Sequence, residues 1–101
     1  MVVYNLTIKV NAEIVEEWME WLKKEHIPEV MTTGQFTDYK FFRLLEQDET
    51  EGTTFVVQYF ANSLNHYNQY LSMFAPALRD KSVKKWGNRF IAFRSVMEVV
   101  H

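Results

Sequence analysis

The sequence predicts one α+β domain, residues 1–101, with the element order βαββαβ. Three observations carry this reading. The first ten residues alternate apolar and polar. Two later stretches place apolar residues at helical spacing. Two further β-rich stretches meet at an acidic loop that ends in glycine, so strand–helix–strand occurs twice.

Residues 2–10 put Val2, Tyr4, Leu6, Ile8 and Val10 on one face and Val3, Asn5, Thr7 and Lys9 on the other, the period-two pattern of a half-buried strand. Asn11 is a plausible N-cap for the first helix. At about 100° per residue, Ile14, Val15, Trp18, Trp21 and Leu22 share one arc. Glu13, Glu16, Glu17 and Glu20 precede Lys23 and Lys24, in agreement with the helix dipole. Pro28 disfavours helical geometry at Ile27, so the helix is expected to stop near His26 or Ile27, with Gly34 supplying a turn.

Residues 35–46 form an aromatic second strand with poor alternation, as expected of an edge. A hairpin loop over 48–52 leads to a third strand over 53–61. Asn62 or Ser63 caps the second helix, whose stripe is Leu64, Tyr67, Leu71, Phe74 and Leu78. Pro76 breaks that helix and starts a short second one. Arg79 to Lys85 reads as a solvated last turn, and residues 88–99 as the fourth strand. The whole is the ferredoxin-like arrangement, a four-stranded antiparallel sheet with two helices on one face and strand order 4-1-3-2.

Composition narrows the function. Lys and Arg total 11 against 13 Asp and Glu, a balance without the excess cation that a nucleic-acid or anionic-membrane surface needs. No cysteine is present, which removes disulfides and thiolate chemistry and suits a reducing, cytoplasmic setting. The alternating start does not read as a signal peptide, and no apolar run approaches the ~18 residues of a membrane span. No phosphate loop, metal-ligand pair, nucleophile elbow or dinucleotide fingerprint is found, so no cofactor and no metal are expected.

The candidate site comes from polar residues on an otherwise apolar sheet face. Against the helices fall Val2, Tyr4, Leu6 and Ile8; Phe55, Val57 and Tyr59; and Ile91, Phe93 and Met97. The opposite face then carries Asn5 and Thr7, Val56, Gln58 and Phe60, and Ala92, Arg94 and Val96. Asn5, Thr7, Gln58 and Arg94 converging among apolar neighbours resemble a ligand pocket, with Arg94 as anchor for a carboxylate or enolate oxygen. A dimer contact whose polar groups pair with one another would look the same. Arg94 then needs an anionic partner, either a ligand or one of Glu25, Glu29 and Glu98.

His26 is the candidate proton carrier. It sits on the flank of the first helix's apolar arc at the expected C-terminus, where the dipole favours a protonated imidazole, with Glu25 and Glu29 nearby. A plain C-cap in water is the competing reading. His66 falls opposite its stripe and reads as exposed; Trp18 and Trp21 read as core, and Trp86 as a cap on the sheet's open end.

These residues resemble a bacterial family of short proteins, a domain of unknown function in the dimeric α+β barrel group. The similarity runs through Tyr4-Asn5-Leu6-Thr7, Trp18-Met19-Glu20-Trp21-Leu22, His26-Ile27-Pro28, Thr33-Gly34-Gln35-Phe36, Gln58-Tyr59 and Phe93 to Glu98. The resemblance implies a ferredoxin-like protomer that dimerises sheet to sheet, and it implies no catalytic residue. Two readings follow. One is a homodimer that binds a small organic molecule, neutral or anionic, through Asn5, Thr7, His26, Gln58 and Arg94. The other is a non-catalytic homodimeric interaction module. The barrel group also contains cofactor-independent monooxygenases and small isomerases, and fold does not choose among them.

Overall fold

The computed structural model describes residues 1–101. Strand β1 (Val2–Asn11) leads through a 3₁₀ turn (Ala12–Ile14) into helix α1 (Val15–Trp21), a π turn (Leu22–His26) and helix α2 (Ile27–Thr32). Strands β2 (Asp38–Arg43) and β3 (Gly52–Ala61) follow, then helices α3 (Leu64–Met73) and α4 (Ala75–Trp86), then strand β4 (Phe90–Glu98). The sheet order is β2-β3-β1-β4, antiparallel throughout, as the element order predicts.

The two central strands hold the core. Val10, Val57 and Ala61 are fully buried, and the helices cover this face alone. Trp18 stacks on Phe55 at 5.2 Å and meets Phe41 edge-on at 6.2 Å. At the other end Tyr4 lies among Phe36, Tyr59, Tyr67 and Tyr70, with ring centroids 5.3 to 6.1 Å away. Gly52 sits opposite Asn11 with Val10's carbonyl oxygen where its Cβ would be, so no side chain fits at that end of the β1–β3 pair.

The first helix does not stop at Pro28. Proline has no N–H for the carbonyl four residues back, and its ring crowds that carbonyl. The chain answers by widening one turn: the Ile27 N–H reaches the Leu22 carbonyl, an i to i−5 bond, and Pro28 begins a new α-helical segment. The apolar pattern asks for the same offset. Ile14, Trp18 and Leu22 advance by about 40° each, but Ile27 lies about 140° beyond Leu22 at 100° per residue. Discounting one residue returns it to about 40°, and both Ile27 and Val30 are buried. The π turn is that discount.

Other expectations are corrected in detail. Asn11 makes no capping bond, whereas Ser63 accepts from the His66 N–H at 3.3 Å. The second helical stripe is rotated: Tyr67, Tyr70 and Leu78 are buried, Leu71 is half-buried and Leu64 is exposed. The break at Pro76 is present, between α3 and α4.

The largest correction concerns strand four. Residues directly opposite in an antiparallel pair share a face. Leu6 pairs with Arg94, Tyr4 with Val96 and Ile8 with Ala92. Arg94, Ala92 and Val96 therefore face the helices, and Ile91, Phe93 and Met97 face outward, the reverse of the sequence assignment. Hydrophobicity alone misled here, because Ile91, Phe93 and Met97 are 58%, 67% and 41% exposed on the outer face.

Trp18 is 2% exposed at the centre of the helix–sheet contact. Trp18→Ala is expected to cost about 3–5 kcal/mol in chemical denaturation. Leu71→Ala, at a half-buried site, is expected to cost about 1 kcal/mol. Equal losses would contradict the rotated stripe.

Candidate functional site

Between the helices and the sheet lies a cavity of about 260 Å³. Its floor comes from β1, β3 and β4, and its roof from α1, the π turn, α2, α3 and α4. Fourteen of its 18 lining residues are apolar or aromatic, and the other four are His26, Arg79, Ser82 and Arg94. No carboxylate lines it.

Arg94 rises from the floor beside Leu6, and Arg79 descends from α4 to donate from Nη2 to the Tyr4 hydroxyl at 3.4 Å. Neither arginine has an acidic partner. The ion pairs of the chain join Lys23 and Lys24 to Glu20, Arg43 to Glu49, Lys81 to Glu29 and Lys84 to Asp80. Glu25, Glu29 and Glu98 are thus not partners of Arg94. Burial pushes the Tyr4 phenol up to about 12, against the pull of Arg94's charge. Tyr67 and Tyr70 are raised by burial too, with Arg94 again opposing, and Tyr59 is raised by burial and its neighbouring phenols. These phenols stay protonated, so the hydroxyls around Arg94 remain available as donors. The Tyr59 hydroxyl is buried with no partner.

His26 enters the roof at the end of the π turn. Its ring stacks on Trp21 at 4.8 Å and 26°, and Trp21 in turn meets Trp86 edge-on at 5.8 Å. Burial lowers the imidazole to about 4; Glu29 opposes this and Lys81 adds to it. This reverses the sequence reading. His26 is not a protonated cap at a helix end but a neutral ring in mid-helix, because the helix continues past it. Glu29 is committed to Lys81 at 2.8 Å, and Glu25 points to solvent. Trp86 is buried.

The five residues expected at one site fall into two groups. His26 and Arg94 share the cavity. Asn5, Thr7 and Gln58 lie on the outer sheet face. There Gln58 Nε2 donates to Asn5 Oδ1 at 3.2 Å, and Asn5 Nδ2 donates to Ser95 and Thr7 hydroxyls at 3.4 Å each. This polar seam runs among exposed Phe42, Ile91, Phe93 and Met97. Sequence reasoning missed Arg79 and Ser82, which looked like part of a solvated basic turn. Their signal was proximity to Leu78, with Ser82 one helical turn beyond it.

A ferredoxin-like protomer with an arginine-bearing aromatic cavity beneath its helices is the class these features define. The chain belongs to the family described as domain of unknown function DUF4286, whose model matches residues 1–100. No curated protein matches the chain in sequence. Solved structures share the fold. A dimeric ferredoxin-like protein from an uncultured marine organism superposes with a TM-score of 0.78 at 12% identity, over 99% of this chain and 95% of the other. SnoaB, a cofactor-independent oxygenase from Streptomyces nogalater, gives 0.72 at 7% identity over 99% and 94%. A MhuD variant with two manganese protoporphyrin IX molecules bound per active site gives 0.71 at 20% identity over 100% and 96%. No helix of this chain is long and apolar enough to cross a membrane, and no three metal-ligating side chains are gathered at one point.

The lowered His26 value sets a pH dependence. Between about pH 6.5 and 4 the unfolded chain binds the proton that the folded chain refuses, so stability falls as pH falls through that window. His26→Phe is expected to remove up to about 1.4 kcal/mol per pH unit of that slope. Thermal melts of both proteins at pH 7 and pH 4.5 test this; parallel losses would mean that His26 already titrates freely in the folded protein.

Proposed function

We propose that the protein binds a small organic anion in the helix–sheet cavity and does so as a homodimer joined through the outer sheet faces. The observation that carries the binding reading is the pair Arg79 and Arg94, in no ion pair and without a carboxylate, in a cavity whose other lining is apolar or aromatic apart from His26 and Ser82. Two guanidinium groups in such a place match a carboxylate or enolate oxygen, and their planar forks favour a planar acid. The apolar wall holds the ligand's body, and the few polar groups orient it.

Size narrows the ligand. An apolar cavity of about 150 Å³ holds benzene. A cavity of about 260 Å³ suits a body of one or two rings. It lies below the ~300–1,000 Å³ used by drug-sized ligands, which favours a small body.

The dimer reading rests on the outer face. Phe42, Ile91, Phe93 and Met97 form an apolar surface around the Asn5–Gln58 seam, and contiguous apolar patches of this kind mark interfaces. A second copy of the same face is the natural cover, and a structural relative described as a dimeric ferredoxin-like protein supports it. In that arrangement Asn5, Thr7 and Gln58 set the register between sheets rather than touch the cavity ligand. The absence of cysteine supports a cytoplasmic location.

A second reading is a cofactor-independent enzyme. A neutral imidazole and two guanidinium groups face one cavity, so His26 could accept a proton while the arginines hold the resulting oxyanion.

Arg94→Met tests the site. With no carboxylate left stranded, the variant is expected to keep its melting temperature while affinity for 2-naphthoate, followed by tryptophan fluorescence, falls at least about tenfold. Unchanged affinity would remove Arg94 from the site. For the assembly, light scattering at micromolar concentration is expected to give the dimer mass, and Phe93→Lys the monomer mass. A monomeric parent protein would overturn the sheet-to-sheet reading.

A further inference from the structure

His26 is a half-buried polar group in the cavity roof. Its ring makes no hydrogen bond to any side chain or backbone group, in contrast to His66, whose Nδ1 lies 2.7 Å from the Ser63 hydroxyl. The charged groups beside it, Glu29 on its own helical stretch and Lys81 on α4, are paired with each other. The stack on Trp21 fixes the plane of the ring, so its nitrogens have fixed directions. A neutral imidazole offers one donor and one acceptor. Polar groups in such surroundings are bonded in the working state of a protein, by water or by ligand.

We propose that His26 reads a second polar group on the ligand, a hydroxyl that donates to the imidazole, so that the cavity selects a hydroxylated one- or two-ring aromatic acid over the unsubstituted acid. The proposal rests on the binding reading above and adds the chemistry at the other end of the molecule. The arginines hold the anion. The aromatic walls, Trp18, Trp21, Tyr4 and Tyr70 among them, hold the flat body, for which ring contacts add to simple area burial. His26 then discriminates, because a site built to bond a hydroxyl rejects the analogue that lacks it.

The test compares 2-naphthoate with its monohydroxylated isomers, by titration calorimetry at pH 7.5 against the 101-residue chain. At least one isomer is expected to bind roughly tenfold tighter than 2-naphthoate, the size of one well-placed buried hydrogen bond. His26→Phe, which keeps the stack on Trp21, should bring that isomer down to the level that 2-naphthoate shows with the same variant. His26→Gln, which restores an acceptor, should recover part of the preference. If no isomer is preferred, or if His26→Phe keeps the preference, the proposal is wrong while the binding reading stands. If 2-naphthoate and every isomer fail to bind the parent protein, both fall together.

Discussion

The parity of the β1–β4 pairing decides what this molecule can do. Side chains alternate strictly along a strand, so a slip of one residue would exchange the two faces of β4. With Leu6 opposite Arg94, a cation faces the helices and three large apolar residues face out. The slipped register would put Arg94 beside Asn5 and Gln58 and bury Phe93 in the cavity. The same four strands would then enclose a plain core and present a charged outer face. The cavity and the apolar patch are therefore two results of one register.

Much of the fold was legible because its signals are local. The alternation of Val2 to Val10, the prolines at 28 and 76 and the acidic loop before Gly52 each mark an element or a boundary without reference to anything distant. The faces of β4 were not legible. They depend on what lies opposite each residue 80 to 96 positions away, and hydrophobicity points the wrong way when the outer face is itself apolar. The π turn falls between these cases. Its cause, Pro28, is visible, and so is its trace, the jump in phase between Leu22 and Ile27. Reading Pro28 as a stop hid the continuation, and with it the true surroundings of His26. Of the site, Arg94 and His26 were found by their chemistry, though placed on different surfaces. Arg79 was lost in a basic run because its distinguishing feature, the contact with Tyr4, is made across the whole fold.

The electrostatics of the cavity follow from what is missing as much as from what is there. Five of the chain's eleven lysines and arginines sit in largely exposed ion pairs, which contribute little to stability. Arg79 and Arg94 join no such pair and instead lie beside phenols that burial keeps protonated and therefore uncharged at neutral pH. Both residues are exposed along part of their length, so water screens some of their charge, and no carboxylate in the cavity lining offsets the remainder. The lowered His26 value belongs to the same environment: a group that could add a third charge to the cavity stays neutral.

Strand β4 also has a consequence for how the single chain behaves in solution. It lies at the sheet's edge, and its sequence from Phe90 to Val100 carries only Arg94 and Glu98 as charges. Edges of this kind, long and apolar, are the surfaces on which chains add to one another without limit. Natural sheets guard them with lysine, proline or a bulge, and β4 has none of these. A sheet-to-sheet contact would cover its Ile91, Phe93 and Met97 face while leaving its backbone edge free. Solubility during synthesis would then depend on how fast the closed assembly forms, relative to open-ended addition along that edge.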